Sequence, residues 1–230
     1  MQGIEYRKDP ARTWEHLMNA ARVHNERVER AREEIAGFST PLALTECHFA
    51  LPGRNRCEVL STWAAGVANA RMLNVHERHG DKLKIATLAD FCGTRWQVNA
   101  VMIPVPDGQS FLMPVALVMC LYRHHTGTHA VDVIQTPGEL DVTASRTANQ
   151  VFLHVVNTNR TQSIRTALHV DGCEIESGQV FQLAADPELE VMGTTPEEIP
   201  LQKIAMTSTN EWTFPAASVS AVELQLKDAG

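Results

Sequence analysis

A single glutamate, Glu46, closes the short apolar run Pro41-Leu42-Ala43-Leu44-Thr45, and His48 follows it by two residues. Along an extended chain those two side chains share a face, so the imidazole can tune the carboxylate. By pattern alone, a glutamate flanked by apolar strand residues is more often a solvent-facing strand end, and the histidine more often a satisfied structural one. Arg54 and Arg56 stand in the loop that follows, where arginines meet ligands but are ordinarily solvated. His124, His125 and His129 lack the i, i+4 spacing by which a helix offers two imidazoles to one ion, so no metal is assigned. The five cysteines, Cys47, Cys57, Cys92, Cys120 and Cys173, are odd in number and lie mostly in apolar stretches. Their spacing suggests no zinc site and fits reduced, buried thiols better than a disulfide framework. No cofactor is implied.

The elements that must position these groups fall into two halves. Asp9-Pro10 supplies an N-cap and a proline at the first helical position. Trp14, Leu17, Ala21, Val28 and Ile35 then recur at helical intervals until Gly37, while Glu26, Arg27, Glu29, Arg30, Arg32 and Glu33 form a solvated face. The run ending at Glu46 is too short for a helix and predicts a buried parallel strand. A second helix is predicted from about Glu58 to Gly80, with Leu60, Ala64, Val67, Ala68, Met72 and Val75 on one face, then a strand over 83–89. A third helix is expected around Phe111, Val115, Val118, Met119 and Tyr122, closing at Gly127. This alternation is the order of βα units. From about His129 short runs alternate between turn residues, predicting strands over 151–156, 166–170, 179–184, 189–192, 202–206 and 218–226 and hence an antiparallel sandwich or jelly roll. The expected fold is therefore α/β plus all-β, with a first domain over 1–128 and a second over 129–230.

A 230-residue chain of 44% hydrophobic composition can bury a core in each half. Its formal charge of −7 comes from acidic and basic residues mixed together, without the clustered Lys and Arg that phosphate neutralisation needs, which argues against nucleic acid. No apolar segment reaches the length of a membrane span and the N-terminus has no signal-like core, so a cytoplasmic location is the expectation.

The stretch from Glu58-Val59-Leu60-Ser61-Thr62-Trp63-Ala64-Ala65-Gly66 through Met72-Leu73-Asn74-Val75-His76-Glu77-Arg78-His79-Gly80-Asp81 to Ile85-Ala86 resembles a segment of the clan-A retaining α-L-arabinofuranosidases. Leu121-Tyr122-Arg123-His124-His125-Thr126-Gly127 and Phe214-Pro215-Ala216-Ala217-Ser218-Val219 resemble later motifs of that family, in the same order. The resemblance implies the last βα units of a (β/α)8 barrel, over 1–128, followed by a C-terminal β-sandwich. It places Glu46 at the family's nucleophile position at a strand C-terminal end, with only the glutamate retained of an Asp-Glu-Trp-Asn-like segment. The family's acid/base glutamate belongs to an earlier strand, upstream of Met1. Where the family has Ala-Gln on its final strand this chain has Ala89-Asp90, which makes Asp90 a candidate second carboxylate. Like-charge repulsion between neighbouring carboxylates separates acid from base roles. A strand-end or capping role is the plainer reading of Asp90. His48 and Trp63 are candidate sugar contacts, the one to hydroxyls and the other by stacking, although a tryptophan on an amphipathic helix is ordinarily core.

The implied function is a glycoside hydrolase acting on α-L-arabinofuranosides, with endoglucanase or β-xylosidase-like activity as alternatives. The other class of reading is a non-catalytic fragment or one subunit of a split glycosidase. About two βα units cannot close a barrel, and exposed strand edges invite pairing. A homo-oligomer, or a partner chain supplying the rest of the barrel, is therefore expected beside a carbohydrate substrate.

Overall fold

The computed structural model describes residues 5–49, 57–193, 199–208 and 210–227. Arg54 and Arg56 lie outside them. The chain divides into two compact units, residues 1–118 with 186–198, and residues 119–185 with 199–230.

In the first unit, helix α1 (Pro10–Glu34) starts as the sequence predicts, with the Asp9 side chain accepting the Arg12 N–H at 3.1 Å. It buries Trp14, Leu17, Met18, Ala21 and Val28. Strand β1 (Leu42–Leu44) leads through a 3-10 turn to α2 (Trp63–Arg78) and then to β2 (Leu83–Ala86), which pairs parallel with β1. This β-α-β crossover is the repeat of a (β/α) architecture. Helix α2 begins at the Thr62 cap and is buried on almost every side, which explains its alanines and glycine. Trp63 is wholly buried, and a Cβ on Gly66 would stand 2.8 Å from its ring. A ring so enclosed has no face for a sugar, so Trp63 is a core residue and not a substrate contact.

Residues 189–192 do not form the expected strand. Leu189 and Pro187 instead lend their carbonyls to the Trp63 and Ala64 N–H groups, both at 2.9 Å, and Val191 N–H donates to Ser61 O at 2.8 Å. The first turn of any helix leaves N–H groups without intrahelical partners, and this segment supplies them for α2. Beyond β2, strands β3 (Asp90–Gly93), β4 (Asn99–Met102) and β5 (Phe111–Leu112) make a small sheet, parallel between β3 and β4 and antiparallel between β4 and β5. Phe111 thus belongs to a strand, and α3 begins at Pro114 and ends at His124. Proline at the first helical position marks that start.

The second unit is the antiparallel β-sandwich. Its larger sheet runs β11 (Gln202–Ala205), β10 (Ile175–Ala184), β13 (Ser218–Leu226), β8 (Gln150–Asn157), β7 (Leu140–Thr147) and β6 (His129–Val131). The smaller pairs β12 (Glu211–Phe214) with β9 (Ile164–Ala167). Leu140, Val151, Val155, Val180, Val222, Leu224 and Leu226 from the larger sheet meet Phe214, Ile164 and Trp212 from the smaller. The reverse face is covered too: Tyr122 stacks on His154 and His125 on Phe181, each with ring centroids 3.8 Å apart. Burial on both faces is why β8 shows so little apolar–polar alternation. Gly127 follows α3 where the chain meets β7 so closely that a Cβ would lie 2.6 Å from the Arg146 backbone nitrogen.

Candidate functional site

Glu46 and His48 lie in the extended segment just beyond β1, and Asp90 opens β3. Each offers one ligand or proton-accepting atom, and these atoms all lie within 4.8 Å of one another. His48 Nε2 is 3.4 Å from Glu46 Oε1, and its Nδ1 is 3.1 Å from the Phe49 carbonyl oxygen. A neutral imidazole carries one N–H, so only the imidazolium donates to the carbonyl and the carboxylate together. The Glu46 side chain is 75% exposed and that of His48 25% exposed, so the carboxylate is open to an incoming molecule while the ring is held beside it.

Three of the four side chains singled out by sequence therefore converge, and Trp63 does not join them. The convergence follows from the βα arrangement: β1 and β2 run parallel, so the segments leaving their C-terminal ends, which carry Glu46 with His48 and Asp90, emerge on one side. Two carboxylates at this separation can divide nucleophilic and proton-transfer work at a sugar carbon. Retaining glycosidases hold theirs about 5–5.5 Å apart, and inverting ones about 6.5–9.5 Å to admit a water. The Glu46 and Asp90 oxygens, within 4.8 Å of each other, leave no room for a water between them of the kind the wider spacing admits.

Cys47, between Glu46 and His48, turns the other way and meets His24 of α1, with Sγ 3.9 Å from Nδ1. His24 in turn contacts His76 of α2. Sequence reasoning missed this group, because its members come from three separate elements and share no local spacing.

Residues 48–218 match the α-L-arabinofuranosidase C-terminal domain family. The chain belongs to that family. Among solved structures it is similar to an arabinofuranosidase at 18% identity and a TM-score of 0.77, covering 92% of this chain and 50% of that one. The GH51 α-L-arabinofuranosidase from Thermotoga petrophila RKU-1 shows 17% identity and a TM-score of 0.73, over 90% of this chain and 49% of that one. The α-L-arabinofuranosidase of Thermotoga maritima, solved as an arabinose complex, shows 19% identity and a TM-score of 0.68, over 92% and 48%. No curated protein sequence matches the chain. The chain spans about half the length of those solved relatives. The family match begins at His48, so Glu46 lies just ahead of it. No helix among the described residues is long and apolar enough to cross a membrane.

Proposed function

We propose that this chain carries the nucleophile side of a retaining α-L-arabinofuranosidase site, with Glu46 as the nucleophile. The observation that supports it is the convergence of Glu46, His48 and Asp90 within 4.8 Å at the ends of separate elements. In this reading Glu46 attacks the anomeric carbon, the bond to the leaving oxygen breaks with its electron pair, and a glycosyl ester forms on Glu46. An aryl leaving group departs as the phenolate without help. A natural glycoside needs a proton donor, which the resemblance places on an earlier strand of the barrel. In the same reading Asp90 accepts a proton from the water that opens the ester, and His48, 3.4 Å from Glu46, holds that carboxylate in place.

The same reading gives the chain a partner, either the remaining barrel strands or a second copy. Among the described residues β1 and β2 pair only with each other, and Ile85 on β2 and Phe91 on β3 are 63% and 82% exposed. Unpaired strands beside exposed large apolar side chains are surfaces that proteins cover.

The test is turnover of an aryl α-L-arabinofuranoside with an activated leaving group by the purified chain, set against aryl glucosides and xylosides. Glu46→Gln should abolish both phenolate release and the covalent adduct seen by intact mass. Turnover unchanged by that substitution removes Glu46 from the mechanism, and a preference for aryl glucoside or xyloside moves the reading to an endoglucanase- or β-xylosidase-like enzyme. Light scattering should report an assembly at micromolar concentration; a monomer would count against the partner.

A further inference from the structure

The group on the far side of Glu46 has a donor set of its own. Cys47, half-buried His24 and buried His76 each place one donor atom within 4.8 Å of the other two. His24 Nε2 lies 2.7 Å from His76 Nε2, and Cys47 Sγ lies 3.9 Å from His24 Nδ1. The other ring nitrogen of His76, Nδ1, is buried and has no hydrogen-bond partner among the described residues, while the residue as a whole is only 7% exposed. A buried histidine that serves packing alone ordinarily has both nitrogens satisfied, and an orphan of this kind points to a missing ligand.

The surroundings prepare these groups for a cation. Burial, reinforced by His24 and His79, pushes His76 down to about 3; burial first, then Arg27 and His79, lowers His24 as well. Both imidazoles are therefore neutral near pH 7, with lone pairs to give. Burial pushes the Cys47 thiol up to about 11, so it is protonated until an ion displaces the proton. Two imidazoles and a thiolate are the ligands of zinc and its borderline-soft neighbours rather than of Mg2+ or Ca2+. Bond lengths of about 2.3 Å to sulfur and about 2.0–2.1 Å to nitrogen put tetrahedral donors about 3.3–3.6 Å apart; the ion takes one nitrogen of His24, so the 2.7 Å imidazole pair must open by a small ring rotation as it enters.

We propose that His24, Cys47 and His76 form a three-donor site for a borderline-soft divalent metal ion, Zn2+ by preference, that ties α1 and α2 to the segment carrying Glu46. Binding releases the Cys47 thiol proton to solvent and leaves a fourth position for water. Occupancy braces Glu46 and His48 from behind, because Cys47 is their immediate neighbour in the chain. The site is distinct from Glu46, His48 and Asp90, whose O/N/O donors offer no sulfur.

That difference gives the experiment. Co2+ is titrated into the full chain under reducing conditions, in a Cys92→Ser/Cys120→Ser background that removes the two exposed thiols. The expected result is a thiolate-to-cobalt charge-transfer band saturating at one equivalent, bleached by one equivalent of Zn2+ and accompanied by release of one proton. Cys47→Ser should abolish the band. His24→Gln, on the half-buried helical position least able to disturb folding, should weaken binding by at least about tenfold. If Cys47→Ser loses its far-UV circular dichroism, the His24→Gln comparison decides. No band at one equivalent, a band that survives Cys47→Ser in a folded chain, or unchanged affinity in His24→Gln overturns the proposal. None of these readouts depends on hydrolysis, so the site can fail without the glycosidase reading failing, and the reverse.

Discussion

Glu46 and Asp90, on segments that follow β1 and open β3, bring carboxylate oxygens within 4.8 Å of each other. A nucleophile and a base that act in successive steps are separable by kinetics. Glu46→Gln should remove the covalent step altogether. Asp90→Asn should leave the first release of phenolate in place and slow hydrolysis of the ester by about 10²–10⁴-fold, the usual worth of a positioned general base. A pre-steady-state burst followed by a depressed steady rate is the expected signature, restored in part by added azide. Equal slowing of both phases would make Asp90 a positioning residue, and no slowing would give it no part.

Much of this was legible in the sequence where the signal was local. Asp9-Pro10 marked the start of α1, the short run before Glu46 marked a strand, and the two-residue offset put His48 with Glu46. Phe111 was read as helical because its apolar run continues into α3, although Pro114 marks the true start of that helix. Residues 189–192 have a strand-like composition, yet their backbone groups serve the N-terminus of α2, a partner far away in the chain. The same reason hid His24, Cys47 and His76: three elements meet there, and no spacing within any one of them records it.

Trp63 offers a test of core against site. Trp63→Ala should cost about 3–5 kcal/mol, since it opens a large cavity under α2, and Trp63→Phe less. Denaturant unfolding followed by far-UV circular dichroism measures both. Activity per folded molecule in Trp63→Phe should equal that of the parent; a selective rise in KM would return the ring to the sugar site.

Asn157 is fully buried in the sandwich, where its Nδ2 donates to the carbonyls of Gln162, Phe214 and Pro215 at 3.0, 3.1 and 2.7 Å. Its Oδ1 accepts the Asn159 N–H at 2.9 Å. Asn157→Ala strands several buried polar groups at once and should cost about 2–4 kcal/mol. Asn157→Asp should cost more, because it removes the donor and turns an acceptor oxygen toward three carbonyl oxygens. Near-UV circular dichroism during denaturant unfolding reads the loss; a change within about 0.5 kcal/mol would show that the loop rearranges to satisfy itself.

The acid and alkaline limits of the first unit follow from two carboxylates and one buried phenol. Glu190 is held below the ordinary carboxylate range chiefly by its hydrogen bonds from Arg7, and Asp81 is lowered to about 2 chiefly by its hydrogen bonds from Arg32. A carboxylate depressed in the folded state contributes stability above its unfolded value, and that stability is lost as pH falls through the folded value. The loss should therefore begin below about pH 4.5 and continue toward pH 2. Asp81 is 66% exposed, so solvent screening limits its share to about 1 kcal/mol or less. Tyr6 works in the opposite sense: burial, and then its contact with Glu190, pushes its phenol up to about 12. The folded chain keeps that proton while the unfolded one loses it, so stability falls again as pH rises above about 10. Arg7→Ala should flatten the acid limb, and Tyr6→Phe the alkaline one, in melting temperatures recorded across pH. An acid limb of unchanged steepness in Arg7→Ala would mean that Glu190 is not a source of the acid sensitivity.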